Sequence, residues 1–130
     1  MSYHVVHPEA LEFEERPTPD GAAPRLAADV TVPGGLEESR ARIWRYPAHS
    51  RGRRHMDLGQ EEVFLVLEGT LTMLLGEPPE RVDLGAHGLV AVHQGTPLQV
   101  RNETDEELVL FIYGAPPVTG KAEFLDDVEL

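Results

Sequence analysis

Cysteine is absent from this chain, which removes disulfide bonds, thiolate metal ligands and a cysteine nucleophile from consideration. No apolar run approaches the ~20 residues that a helix needs to span a bilayer. Basic charge is scarce: 11 Lys and Arg stand against 23 Asp and Glu, for a net charge of −12. Nucleic acid and anionic membranes both require a basic surface, so neither is expected as a partner. The segment from Met1 to His7 lacks the basic and apolar regions of a secretory signal, so a cytoplasmic protein is expected. There is no Gly-X-Gly-X-X-Gly, phosphate loop, nucleophile elbow or His-Glu-X-X-His, and Ser39 and Ser50 stand without a triad.

What is present points to strands. The 130 residues suffice for about one domain with a single core. Eleven prolines and twelve glycines break the chain into short apolar runs, which favours many strands joined by turns. Residues 1–37 carry weak strand signals (Val5-Val6, Arg25 to Thr31), broken at Pro17, Pro19-Asp20-Gly21 and Pro33-Gly34-Gly35. They are expected to form an arm that packs on the rest of the chain or on a partner subunit. Residues 38–117 hold the main body. Arg40 to Tyr46 alternates polar and apolar residues, the period of a half-buried strand. Val63 to Leu67 and Thr70 to Leu75 resemble the two arms of a hairpin, and Gly76 to Glu80 a turn, since adjacent prolines cannot donate to a ladder. Leu89 to Val92, Leu98 to Val100 and Leu108 to Tyr113 supply three more strands. Residues 118–130 form an acidic tail, expected as a short helix or without fixed structure.

Charge is unevenly distributed. Six arginines (Arg40, Arg42, Arg45, Arg51, Arg53, Arg54) occur between positions 40 and 54 with no carboxylate among them. Arg40, Arg42 and Arg45 are read as solvated strand residues paired with neighbouring acids. Arg53 and Arg54, with Arg51, run straight into His55, where a planar guanidinium fork could hold a small anion. The stretch they enter is the densest in chemistry: His55, Asp57 and Glu62 precede an apolar run closed by Gly69. On extended backbone His55 and Asp57 project to one face, and Glu62, opening the next strand, would face them across a ladder. Imidazole and carboxylate are the usual ligands of zinc, manganese, iron or nickel.

These residues resemble the first motif of the cupin family: Gly, five residues, His-X-His, three or four residues, Glu, six residues, Gly. His55, Glu62 and Gly69 fall on its first His, its Glu and its closing Gly, while Asp57 replaces the second His and His49 the opening Gly. The stretch from His87 to Asn102 is similar to the second motif, Gly, five residues, Pro-X-Gly, two residues, His, three residues, Asn. Gly95 and Asn102 match it, and Leu98 stands where the family's metal-binding His would be.

The resemblance implies an all-β double-stranded β-helix, or jelly-roll barrel, with the site inside it. It implies a divalent metal on His55, Glu62 and Asp57, with His93 or His49 bending in to replace the missing donor. The alternative is a metal-free barrel in which His55, Asp57 and Glu62 form an acid/base cluster. Asp57 and Glu62 would be the catalytic carboxylates of an oxygenase, isomerase or decarboxylase. Arg53, Arg54, Tyr46, Phe64 and Leu98 would contact a small anion, with Trp44 and Met73 as further walls or plain core. A non-catalytic binding module is the competing reading, because this architecture hosts both. A homodimer is expected from the arm and from the edge that an open jelly roll leaves.

Overall fold

The computed structural model describes residues 2–18, 21–117 and 122–129. Pro19 and Asp20 of the first turn, and the opening residues 118–121 of the tail, lie outside this description. Eleven strands follow one short 3-10 turn at Pro8–Ala10: β1 (Phe13–Arg16), β2 (Arg25–Asp29), β3 (Arg40–Tyr46), β4 (His55–Asp57), β5 (Glu61–Glu68), β6 (Leu71–Leu75), β7 (Glu80–Leu84), β8 (Leu89–Val92), β9 (Leu98–Arg101), β10 (Leu108–Ala115) and β11 (Ala122–Phe124). They form a six-stranded sheet in the order β1-β2-β3-β10-β5-β8 and a five-stranded sheet in the order β11-β4-β9-β6-β7, with all pairings antiparallel. The expected jelly roll is present. Its two sheets turn their apolar faces to each other.

The core lies between them at one end. Phe64, Val66, Leu71, Met73, Leu98, Leu108 and Leu110 are almost wholly buried there. Each such side chain contributes roughly 1.5–3 kcal/mol by leaving water. Asn102 anchors the adjoining loop: its buried amide donates to the carbonyls of Tyr46, Pro47 and Glu106, and its side-chain oxygen accepts from the Thr104 backbone.

Two expectations about connectivity need correction. Val63 to Leu67 and Thr70 to Leu75 do not form a hairpin, because β5 pairs with β10 and β8 while β6 pairs with β7 and β9 in the other sheet. Gly69 makes that transfer at φ +84°, where an added Cβ would run into the Glu107 carbonyl. The N-terminal segment packs on the six-stranded sheet of the barrel. Its β2 pairs with β3 along Leu26 to Asp29, and β1 extends the same sheet; Val5-Val6 is not a strand. Among its described residues the acidic tail is not helical. Residues 122–124 add an edge strand to β4, and Leu125 donates to the Arg54 carbonyl.

Candidate functional site

The alternation of β3 sets up the site. Arg40, Arg42, Trp44 and Tyr46 share the strand's inner face, and all four line a cavity of about 380 Å³ between the sheets. Phe64 and Glu62 reach it from β5, Ile112 from β10, Val100 from β9, and His55 and Asp57 from β4. Arg25 enters from β2, Arg53 from the loop before β4, and Phe124 from β11.

Of the residues singled out by sequence, His55, Asp57, Glu62, Arg53, Tyr46 and Phe64 meet here, together with Trp44. Glu62 faces His55 and Asp57 across the barrel interior and not across a ladder, because β4 and β5 belong to different sheets. Arg54, Leu98, His93 and Met73 are not among the residues that line the cavity. The Arg54 side chain is 6% exposed and donates to Glu77 at 2.8 Å and to the Asp126 carbonyl at 3.1 Å, so it ties the loop and tail together. Leu98 is 1% exposed within the apolar core, opposite His55 in register, and Met73 is buried beside it. His93 sits on the outer face of the six-stranded sheet, exposed, with Nδ1 3.6 Å from Glu61. His49 is likewise exposed and bonds Asp105. Arg51 pairs with Asp127 at 3.1 Å and Arg45 with Glu107 at 2.7 Å.

Arg40 and Arg42 were expected to be solvated, yet they share the face of Trp44 and Tyr46 and line the cavity. The alternation along β3 carried that signal. Arg25 and Phe124 had none, since both depend on pairings distant in sequence. Arg25 reaches the cavity because β2 lies on β3. Its Nη2 donates to the Pro17 carbonyl at 2.9 Å and its Nη1 to the Tyr46 hydroxyl at 3.4 Å. Its guanidinium lies 5.1 Å from the Trp44 ring centre and 5.5 Å from that of Tyr46.

The acidic side of the cavity has distinct electrostatics. Burial pushes the Glu62 carboxyl up to about 7; the Asp57 carboxylate adds to the rise, and Arg40 and Arg42 hold it back. Burial also raises the Tyr46 phenol, against the pull of Arg25. His55 Nδ1 lies 3.0 Å from the Arg53 carbonyl. A carbonyl only accepts, so Nδ1 is the donor in this contact.

The donor set does not fit the divalent metal that the motif implies. Leu98 places hydrocarbon where the fourth ligand belongs, and His93 and His49 point elsewhere. Among the described residues, no three His, Asp or Glu side chains converge to hold an ion. His55, Asp57 and Glu62 share a cavity without forming a coordination site. The arrangement offers a cationic wall, aromatic surfaces and a carboxyl group able to exchange a proton near neutral pH.

A family model described as "Cupin domain" matches residues 42–113. Among solved structures, the polyketide cyclase RemF from Streptomyces resistomycificus superposes with a TM-score of 0.77 at 16% identity, covering 96% of this chain and 87% of that one. A predicted oxalate decarboxylase from Thermotoga maritima gives 0.75 at 15% identity, covering 86% and 98%. A sugar phosphate isomerase from Silicibacter pomeroyi gives 0.67 at 20%, covering 80% and 71%. At these identities the likeness concerns the fold. No curated protein matches the sequence significantly.

Proposed function

The chain belongs to the cupin family, and from that premise we propose that it binds a small organic anion inside its barrel without recourse to a metal. One observation carries the reading: four arginines (Arg25, Arg40, Arg42, Arg53) line one cavity with only Asp57 and Glu62 as opposing carboxylates. A guanidinium in a partly buried cleft interacts with an anion through charge-assisted, geometrically matched hydrogen bonds. The neighbours named for oxalate and sugar phosphate chemistry act, by those names, on anions, which supports the reading by analogy only.

Trp44 is the only tryptophan of the chain and lines the cavity, so its fluorescence reports on occupancy. Titration with small carboxylates and phosphates should change its emission saturably, whereas neutral amides and alcohols of the same shape should not. Equal responses to charged and neutral compounds, or none to any anion, would remove the proposal. Metal analysis of protein purified without chelator should return less than stoichiometric zinc, manganese, iron and nickel.

A second reading is favoured by Glu62. A carboxyl titrating near 7 in a cavity shared with Asp57 and His55 is suited to moving a proton on or off a bound molecule. On this reading the chain is an isomerase, cyclase or decarboxylase whose general acid/base is Glu62. Solvent-deuterium exchange into a bound ligand, lost in Glu62→Gln, is the test.

A further inference from the structure

The four arginines of the cavity are not equivalent. Arg42 feels the carboxylates of Asp29 and Glu62, and Glu62 in turn feels Arg40 and Arg42, so charge is locally matched at that end. Arg25 and Arg53 differ: among the described residues, no carboxylate pairs with either. Both are held by a face on an aromatic ring, Arg25 on Trp44 and Tyr46, and Arg53 on Phe124 at 3.8 Å. Stacking occupies the flat face of a guanidinium and leaves its in-plane N–H donors available. The Arg25 Nε is buried with no hydrogen-bond partner, an unusual condition for a charged donor. Gly52, the residue before Arg53, packs so close to Arg25 Nη1 and the Tyr46 hydroxyl that an added Cβ would stand 3.0 and 3.1 Å from them, and Arg25 and Arg53 both line the cavity.

Apart from its charged groups the cavity has apolar walls. Trp44, Phe64, Val100 and Ile112 supply them. Gln60 already donates its amide to the Pro116 carbonyl, and the Tyr46 hydroxyl already accepts from Arg25. A polyhydroxylated ligand would leave the hydroxyls that face those apolar walls without partners, each losing its water for nothing in return. A flat unsaturated ring would not.

Resting on the anion-binding reading above, we propose that the ligand is a planar aromatic carboxylate, its carboxylate held between Arg25 and Arg53 and its ring enclosed by Trp44, Phe64 and Ile112. The ring's far end then points at Asp57 and Glu62. Tyr46 and Arg42 lie four residues apart on β3, about 13 Å, which accommodates a ring with a short conjugated arm.

Calorimetry on the full chain with 4-hydroxycinnamate, its neutral amide and glucose 6-phosphate tests this. The carboxylate should bind about tenfold or more tightly than either of the others. Arg53→Gln, at an exposed position where folding is not at risk, should lower carboxylate affinity about tenfold and leave the amide unchanged. Arg25→Lys keeps the charge but loses the fork, and should fall between the parent and Arg25→Gln. Glucose 6-phosphate binding as tightly as the carboxylate would overturn the aromatic class and leave anion binding standing. Amide and carboxylate binding alike would overturn the Arg25–Arg53 subsite. No binding of any anion would overturn the anion-binding reading itself.

Discussion

Glu62 is the residue whose chemistry departs furthest from its sequence. Its carboxyl moves from an ordinary 4.5 to about 7, chiefly through burial and secondarily through Asp57. The folded state therefore holds this proton more firmly than the unfolded chain. Its contribution to stability is complete below about 4.5 and is lost as pH rises through about 7. Glu62→Gln should match the parent near pH 4.5 and be more stable by on the order of 3 kcal/mol at pH 8, as urea unfolding at the two pH values would measure. A parallel pH dependence in both proteins would mean that the carboxyl is solvated. His55, Asp57, Glu62, Tyr46, Phe64 and Arg53 were legible in the sequence, because motif spacing and strand alternation fix which side chains point together. Arg54 was misplaced because it lies in the loop before β4, where strand alternation gives no guide, and its side chain turns to Glu77. Leu98 reads the same in sequence and structure as an apolar side chain, but it belongs to the core and not to the ligand wall.

At the scale of elements, the runs that became β3, β8 and β9 are apparent from composition and alternation alone, with β3 and β8 keeping their bounds. Which sheet each joins is not, since pairing across the barrel leaves no local trace. The smallest strands were hidden most completely. β11 is three residues long and lies in an acidic stretch with little strand propensity. It is held in place by contacts made elsewhere: Arg54 on the Asp126 carbonyl, Arg51 and Gln99 on Asp127, and Arg101 on the Val128 carbonyl. Ending the chain after Pro117 would strip these partners and bare the β4 edge. Denaturant melts of that truncation should show a loss of roughly 2–4 kcal/mol, the sum of a few charge-assisted hydrogen bonds. Phe124→Ala should behave differently. The ring is 54% exposed, so stability should change by less than about 1 kcal/mol while 4-hydroxycinnamate affinity falls with the loss of the Arg53 support. A truncation as stable as the parent would reduce the segment to an appendage.

The molecule as a whole presents one broad apolar face. In register across the outside of the six-stranded sheet run Ile43, Phe111, Leu65 and Leu89, with Tyr113, Val63 and Ala91 in the next row but one. Leu89 and Tyr113 are exposed, which fits a surface that meets another chain better than a free edge would. The N-terminal segment is engaged in the six-stranded sheet, and for the homodimer expected from that segment and from the open sheet edge we propose this face as the contact. Light scattering should return a dimer mass at micromolar concentration, and Leu89→Lys with Tyr113→Lys a monomer; a parent that is already monomeric excludes it. Among the described residues no helix is long and apolar enough to cross a membrane. The acidic total and the arginine-lined cavity together bear on how fast a ligand can arrive. An anion approaching a chain of net charge −12 is repelled until it comes within a screening length, about 8 Å at physiological salt, of the guanidinium groups inside. Added salt then acts twice and in opposite senses. On the anion-binding proposal it speeds the encounter by hiding the outer charge and hastens escape by weakening the inner one, so stopped-flow binding of a small anion should show an association rate that climbs with ionic strength and a residence time that shortens.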